Sequence, residues 1–396
     1  MGTSARYTTS EHSSDQRDQA GGSRTDYTEG ATALVRRERF FWLRSGVIAV
    51  TCLLVVFTLC ILSGHYPCTK EEVFACLFHG VLNRLIWVAE LPARVIPGLD
   101  YVLANPIPVT WNDNVTAAVW SVRVTRIVGV IFIGGGLAVS GACFQSLFRN
   151  PLVSESILGV TDGACFGAAL AILLVLNSVF ISLFAFIGGI AAVALTYTFS
   201  KMLHGNRTLL LVLTGTVVSS VFAAALTIIK YIAPTDSTLP EITYWLMGSF
   251  GKIGADDLPL LIAVITTCAL ILMKMRWRMN VLALGDDEAR SLGINVKTSR
   301  GIIVTCATLI ASISVCVCGG IPWVGLIIPQ IARFAVGSDS RRMLPVAFFV
   351  GSIFLMIVDL VCRATLVTEI PVGVVTALVG APTFFFVLLR SKTGWA

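Results

Sequence analysis

Ten apolar runs, each close to the length a helix needs to cross a bilayer, constrain this chain more than any other feature. A hydrocarbon core about 30 Å thick takes roughly 20 helical residues per crossing, and a helix satisfies its own backbone there. The runs fall near 42–63, 127–148, 156–176, 178–202, 208–231, 257–275, 301–318, 321–337, 343–362 and 372–390. The expected fold is an all-α polytopic membrane protein with about ten transmembrane helices. Composition agrees, since 56% of the 396 residues are hydrophobic and 13% charged, against about 25% charged in soluble domains. A soluble enzyme is excluded.

Residues 1–40 hold 12 of the 52 charges and show no apolar periodicity, so they read as a disordered cytoplasmic tail before a ten-span transmembrane domain at 41–392. No apolar h-region follows a basic start, which excludes a cleavable signal peptide. The eighth run is short and carries Pro322 and Pro329, which break helices, yet broken segments line cavities in transporters. Counting it, with the N-terminus inside, places 21 of the 29 Lys and Arg on the cytoplasmic side and keeps Arg390 and Lys392 there. Both termini are then cytoplasmic, and the net charge of +6 needs no nucleic-acid partner.

Three connections stand out. The outer loop 64–122 contains 71–91, amphipathic at helical spacing, which is expected to lie on the membrane surface or on the bundle. The outer connection 232–256 is turn-rich. The cytoplasmic loop 276–300 mixes basic residues, an acidic turn and Leu/Ile positions, as a compact helix pair with a docking surface would.

No phosphate-binding glycine loop ending in Gly-Lys-Ser or Gly-Lys-Thr occurs, so an ATP-driven step needs another polypeptide. No hydrolase elbow, zinc-binding helix motif or carboxylate pair appears either. Asp162 and Asp359 are the main acids near membrane depth and Gln330 the main amide; each acid is a functional group or a helix cap. In the outer loop His65, Cys68, Cys76 and His79 follow a spacing that resembles metal ligation. A shared helix face without a metal, or a Cys68–Cys76 disulfide in an oxidising exterior, fits those residues equally. The nine other cysteines read mostly as small apolar fillers.

The run RVTRIVGVIFIGGGLAVSGACFQSLFRNPLVSESILGVTDGACFGA at 123–168 resembles the signature of the bacterial type II ABC importer permeases that serve iron-siderophore, haem and vitamin B12 uptake, the FecCD-like family. The resemblance continues in order through WLMGSF at 245–250, LGDDEARSLGINV at 284–296, GGIPWVGLIIPQIARFAVGSDSRRMLP at 319–345 and EIPVGVVTALVGAPTFFFVLLR at 369–390. Gln330 departs from the histidine common in that family, which argues against a proton switch there.

The resemblance implies a homodimer in the cytoplasmic (inner) membrane, two cytoplasmic ATPase subunits that carry the ATP and Mg, and an extracytoplasmic substrate-binding protein. This chain itself is then no enzyme and binds no cofactor. Gly285, Asp286, Asp287, Glu288, Ala289, Arg290, Leu292 and Gly293 match the coupling element that meets the ATPase. Arg123, Arg126 and Arg363 match outer arginines that meet acidic residues of the binding protein. The family's path runs along the dimer axis and places Thr214, Thr216, Ser219 and Ser220 beside it, although such hydroxyls also bond back to their own helix. The expected cargo is a metal chelate, first an iron-siderophore, then haem or a corrinoid. An ion-coupled carrier using Asp162 or Asp359, or a metal-sensing membrane protein, are the readings from other classes.

Overall fold

The computed structural model describes residues 44–64, 66–90, 103–205, 207–365 and 368–390. The expected tail, His65 and the last six residues lie outside the described residues. Among those described, every regular element is helical. In chain order they are α1 Arg44–Leu62, α2 Lys70–Ala89 and α3 Asp113–Phe148; α4 Val160–Leu173, α5 Ser178–Met202, α6 Arg207–Ile232 and α7 Thr238–Leu246; α8 Leu258–Lys274, α9 Arg276–Leu282 and α10 Asp286–Ser291; and α11 Val296–Cys318, α12 Val324–Val336, α13 Ser340–Ala364 and α14 Val372–Arg390. Residues 1–52 and 53–396 form separate compact units. The described part of the first is the start of α1, with Val47, Ile48 and Val50 exposed.

Each of the ten expected spans coincides with a helix, but they are not equal. Six are long and apolar enough to cross a membrane, and α8 joins α9 across a 57° bend. α4, α12 and the apolar part of α14 are shorter. The expected third span, 156–176, is corrected to a 14-residue helix preceded by a 3₁₀ turn at Glu155–Leu158. α2 has the length and hydropathy of a span as well, although it lies in the loop expected at the surface.

Local chemistry starts the helices. Asn177 accepts from the Phe180 N–H at 3.2 Å to open α5, and Asn295 accepts from Thr298 at 3.0 Å to open α11. Thr69 and Glu72 form a reciprocal capping box at α2, whose backbone and hydroxyl hydrogen bonds hold the Glu72 carboxyl below its ordinary range.

Buried over most of its length, α3 is the axis against which α8, α11, α12 and α13 pack. Association between helices in lipid depends on close backbone approach rather than on apolar area. α3 meets α13 at Gly134 and Gly351, each with its Cα against the other's carbonyl, and α4 meets α5 in the same way at Gly163 and Gly188.

The two half-length helices begin inside the bundle. The 3₁₀ turn ahead of α4 is held by Thr196 of α5, whose hydroxyl donates to the Leu158 carbonyl at 3.2 Å. Ser219 of α6 donates to the Ser156 carbonyl at 3.3 Å. Ser219 stands ~18 Å along α6 from Arg207 at 1.5 Å per residue, so this non-helical backbone reaches membrane depth with Glu155 and Leu158 buried and Ser156 exposed, its carbonyls taken by neighbouring side chains.

α12 follows Trp323 at φ 76° and contains Pro329. Proline has no N–H for the carbonyl four residues back, and here that carbonyl, Gly325, accepts instead from the Gln145 side chain of α3 at 3.3 Å; the same amide donates to Leu326 at 2.9 Å.

The glycine contacts are directly testable. Gly163→Val should destabilise the protein by about 1–3 kcal/mol through overpacking against α5. Gly301→Ala, at a helical position with open space around it, should be neutral or stabilising by up to about 1 kcal/mol. Thermal unfolding in detergent or nanodiscs reads both, and equal midpoints would remove the close approach as a determinant of stability.

Candidate functional site

The loop 276–300 folds as the expected helix pair. α9 is pinned from three sides. The Asn280 side chain donates to Asp339 at 2.6 Å and accepts from the Ser340 N–H at 2.9 Å. Arg276 reaches the Arg341 carbonyl at 3.4 Å, an acceptor left open because Pro345, four residues on, has no N–H. Arg149, at the left-handed end of α3, donates to the Leu282 carbonyl at 3.0 Å. Asp339 lies below the ordinary carboxylate range: burial pushes it up, but the Arg341 N–H, the Asn280 amide and the Arg341 and Arg342 charges more than offset that.

α10 has two turns and would not persist alone. Its C-terminus closes with Ile294 N–H donating to the Ala289 carbonyl and Gly293 N–H to Arg290, both at 2.9 Å. This paired closure requires the left-handed Gly293, at φ 78°. Asp286 is tied to Arg300 of α11 at 2.9 and 3.3 Å. The matched set therefore divides. Gly285, Ala289 and Asp286 hold the helix in place, whereas Asp287, Glu288, Arg290, Leu292 and Gly293 face outward. Arg290 and Asp287 pair at 2.6 Å with both side chains exposed, so that pair adds little stability and remains available to a partner. A cavity of about 570 Å³ lies beside it, lined by Asp286, Arg290, Gly293, Asn295 and Lys297 among others.

At the outer side the expectation of free cations is corrected. Arg123, Arg126 and Arg363 are each at most 6% exposed. Arg126 donates from Nε to Asp359 at 2.8 Å and makes a fork to Glu369 at 2.6 and 2.9 Å. Arg363 meets the other Asp359 oxygen at 3.0 Å and donates to the carbonyls of Ser63 and Cys60. Arg123 donates to the carbonyls of Ile61 at 2.9 Å and Tyr66 at 3.1 Å. These arginines bind helix ends and one buried carboxylate inside this chain, because a guanidinium removed from water needs several acceptors.

The hydroxyls proposed for a path also divide. Thr214 is buried and donates to Leu210 and, across to α5, to the Thr196 carbonyl; it is corrected to a packing residue. Thr216 and Ser220 lie on the exposed face of α6, each bonded to its own helix, and Ser219 stands beside Asp162. The metal reading of the outer loop is not supported. Among the described residues no three potential ligands converge, and Cys68 and Cys76 are free thiols. Both ring nitrogens of His79 are engaged, by the Ile107 carbonyl and by Asn83, at 2.9 Å each. His65 lies outside the described residues.

Sequence reasoning did not single out Gln145 or Glu155. Gln145 accepts from Gln330 at 2.9 Å, and Gln330 also donates to the Pro151 carbonyl at 2.9 Å, while Arg333 approaches both amides at 3.4 Å. Glu155 is 4% exposed, and its Oε2 has no hydrogen-bond partner among the described residues. An amide inside the motif at 123–168 was the available signal.

Residues 52–390 match the model of the FecCD transport family. The chain belongs to that family. It is 37% identical over 278 residues to the molybdate import system permease protein MolB of Haemophilus influenzae, covering 70% of this chain and 82% of the relative. It is 36% identical over 299 residues to the hemin transport system permease protein HmuU of Yersinia pestis, covering 71% and 87%. A solved ABC transporter described as of the metal-chelate type, in an inward-facing conformation, superposes with a TM-score of 0.70 at 30% identity over 86% of this chain and 97% of that one. The fold is thus the type II ABC importer permease architecture, and the chain is a multi-pass membrane permease subunit.

The buried ion cluster yields a prediction. Asp359→Ala leaves two buried arginines without their shared carboxylate and should cost about 3–5 kcal/mol. Glu369→Gln, at a side chain 38% exposed, should cost about 1 kcal/mol or less. Thermal midpoints of the purified variants decide it, and a wild-type midpoint for Asp359→Ala would show the cluster to be dispensable.

Proposed function

We propose that this chain is the permease of an ATP-driven importer that moves a metal chelate, in the first instance an iron-siderophore, inward across the cytoplasmic membrane. Two copies form the channel, two ATPase subunits grip α10 from the cytoplasm, and a substrate-binding protein delivers cargo from outside. ATP and Mg reside on the ATPase chains, and both termini of this chain are cytoplasmic. The observation that carries the reading is α10 itself: a two-turn helix fixed by its glycine closure and by Arg300, presenting Asp287, Glu288, Arg290 and Leu292 to a partner. Such an element transmits a push only if it is rigidly backed, and α9 backs it against α3 and α13.

Cargo would pass small, weakly interacting hydroxyls, with Thr216, Ser219 and Ser220 of α6 as the lining. Relatives named for haemin and cobalamin support those chelates as alternatives within the class. An ion-coupled carrier is less well supported, because Asp359 is neutralised by two arginines and is not free to bind a travelling ion.

Arg290→Glu should lower substrate-stimulated ATP hydrolysis about tenfold or more, since like charge at a docking surface costs several kcal/mol, while the permease still folds and dimerises. Uptake of a ferric siderophore into proteoliposomes holding the permease, its ATPase and its binding protein should need ATP and survive collapse of ion gradients. Normal coupling in Arg290→Glu would remove α10 from the interface. ATP-independent uptake that disappears with an ion gradient would replace the importer reading with the carrier.

A further inference from the structure

The polarity of α2 runs opposite to that of a helix on a water-facing surface. The polar side chains along its middle have partners within the protein, although Asn83 and Arg84 also keep exposed surface. His79 and Asn83 bond to each other and to the Ile107 carbonyl and Asn105, and Arg84 lies 3.7 Å over the Trp120 ring. Trp120 donates to the Cys76 carbonyl at 3.3 Å, fixing the same face against the outer extension of α3. On the other side Phe74, Phe78, Val81, Leu85 and Val88 recur at spacings of three and four and form one stripe, with Phe78 59% and Leu85 60% exposed. Between Val73 and Ala89 the only Lys, Arg, Asp or Glu is Arg84, and it is taken up by Trp120. In water an apolar face of this length is costly.

The position of α2 identifies what covers the stripe. Arg123 ties the carbonyls of Ile61 and Tyr66 together, so α2 starts four residues after a segment pinned to the outer end of a membrane span, whose Leu54, Val55 and Leu59 are themselves exposed apolar side chains. We infer that α2 is a membrane-seated helix whose Phe78–Leu85 face rests in the acyl region of the outer leaflet, with its polar side clamped to α3. A protein partner at the same height would be expected to meet some outward charge for orientation, and between Val73 and Ala89 this helix offers only Arg84, at the edge of the stripe and stacked on Trp120. Apolar burial of 5–10 Å into the headgroup and acyl boundary is the arrangement such a face favours.

An environment-sensitive fluorescent amino acid placed at Leu85 of the full chain, reconstituted in phosphatidylcholine vesicles, tests this. With brominated acyl chains the probe should lose more than about half its emission, as expected at this depth, and aqueous iodide should quench it far less than the same probe at the exposed outer residue Asp256. Iodide quenching equal to that at Asp256 would show a water-facing helix. Quenching by neither agent would show a face covered by protein, either a second copy or another chain. Each of these two results overturns the inference.

Discussion

Unpaired backbone carbonyls at membrane depth are the constraint on which this structure depends. A span that runs unbroken satisfies itself, but α4 is preceded by a 3₁₀ turn and α12 contains Pro329, and each leaves backbone carbonyls at membrane depth without helical partners. The protein answers with side chains from neighbouring helices. Thr196 and Ser219 take the carbonyls of the 3₁₀ turn before α4, and Gln145 takes the carbonyl that Pro329 leaves open. The amides of Gln145 and Gln330 are therefore structural in the strict sense: an apolar residue at either position would strand an acceptor, at a cost of about 1–3 kcal/mol.

The two faces of the membrane are handled differently. At the end expected to face outward the buried charge is paired internally, with Asp359 shared between Arg126 and Arg363 and Glu369 closing the fork. That cluster joins α3 to α13 and to the segment before α14, while Arg363 and Arg123 cap the carbonyls that end α1. On the inner side charge is left facing out, at Asp287, Glu288 and Arg290, and only Asp286 is drawn inward by Arg300. The outer end is built to hold helices together, whereas the inner end has a rigid helix with unspent polar groups.

Much of this was readable in the residues. Each of the ten apolar runs falls on a helix, though three of those helices are shorter than a span; Pro322 marks the break before α12, and the acidic turn with flanking glycines marks α10. The failures have a common cause, which is partnership across large sequence separations. Arg126 looks like a stranded outer cation until Asp359, 233 positions away, is seen beside it. Thr214 looks like a path hydroxyl until α5 covers it. Periodicity finds the apolar stripe of α2, but it cannot say that His79, Asn83 and Arg84 have their partners within the fold and that the stripe looks away from it. The late start of α4 had no local signal beyond Gly159, whose φ of 83° allows the turn that starts the helix.

Contacts connect the coupling face to the broken helix without a gap. α10 is joined to α9, whose Leu282 carbonyl is held by Arg149. Two residues later the chain passes Pro151, whose carbonyl accepts from Gln330 of α12, and Gln330 in turn meets Gln145, the residue that satisfies Gly325. The side-chain links are hydrogen bonds to backbone carbonyls or between two buried amides, so displacing α9 strains those acceptors. Such a linkage is stiff where it is satisfied and has few intermediate positions. α12 is therefore linked through this network to the surface formed by α9 and α10, whereas the cluster of Asp359, Arg126 and Arg363 shares none of these groups.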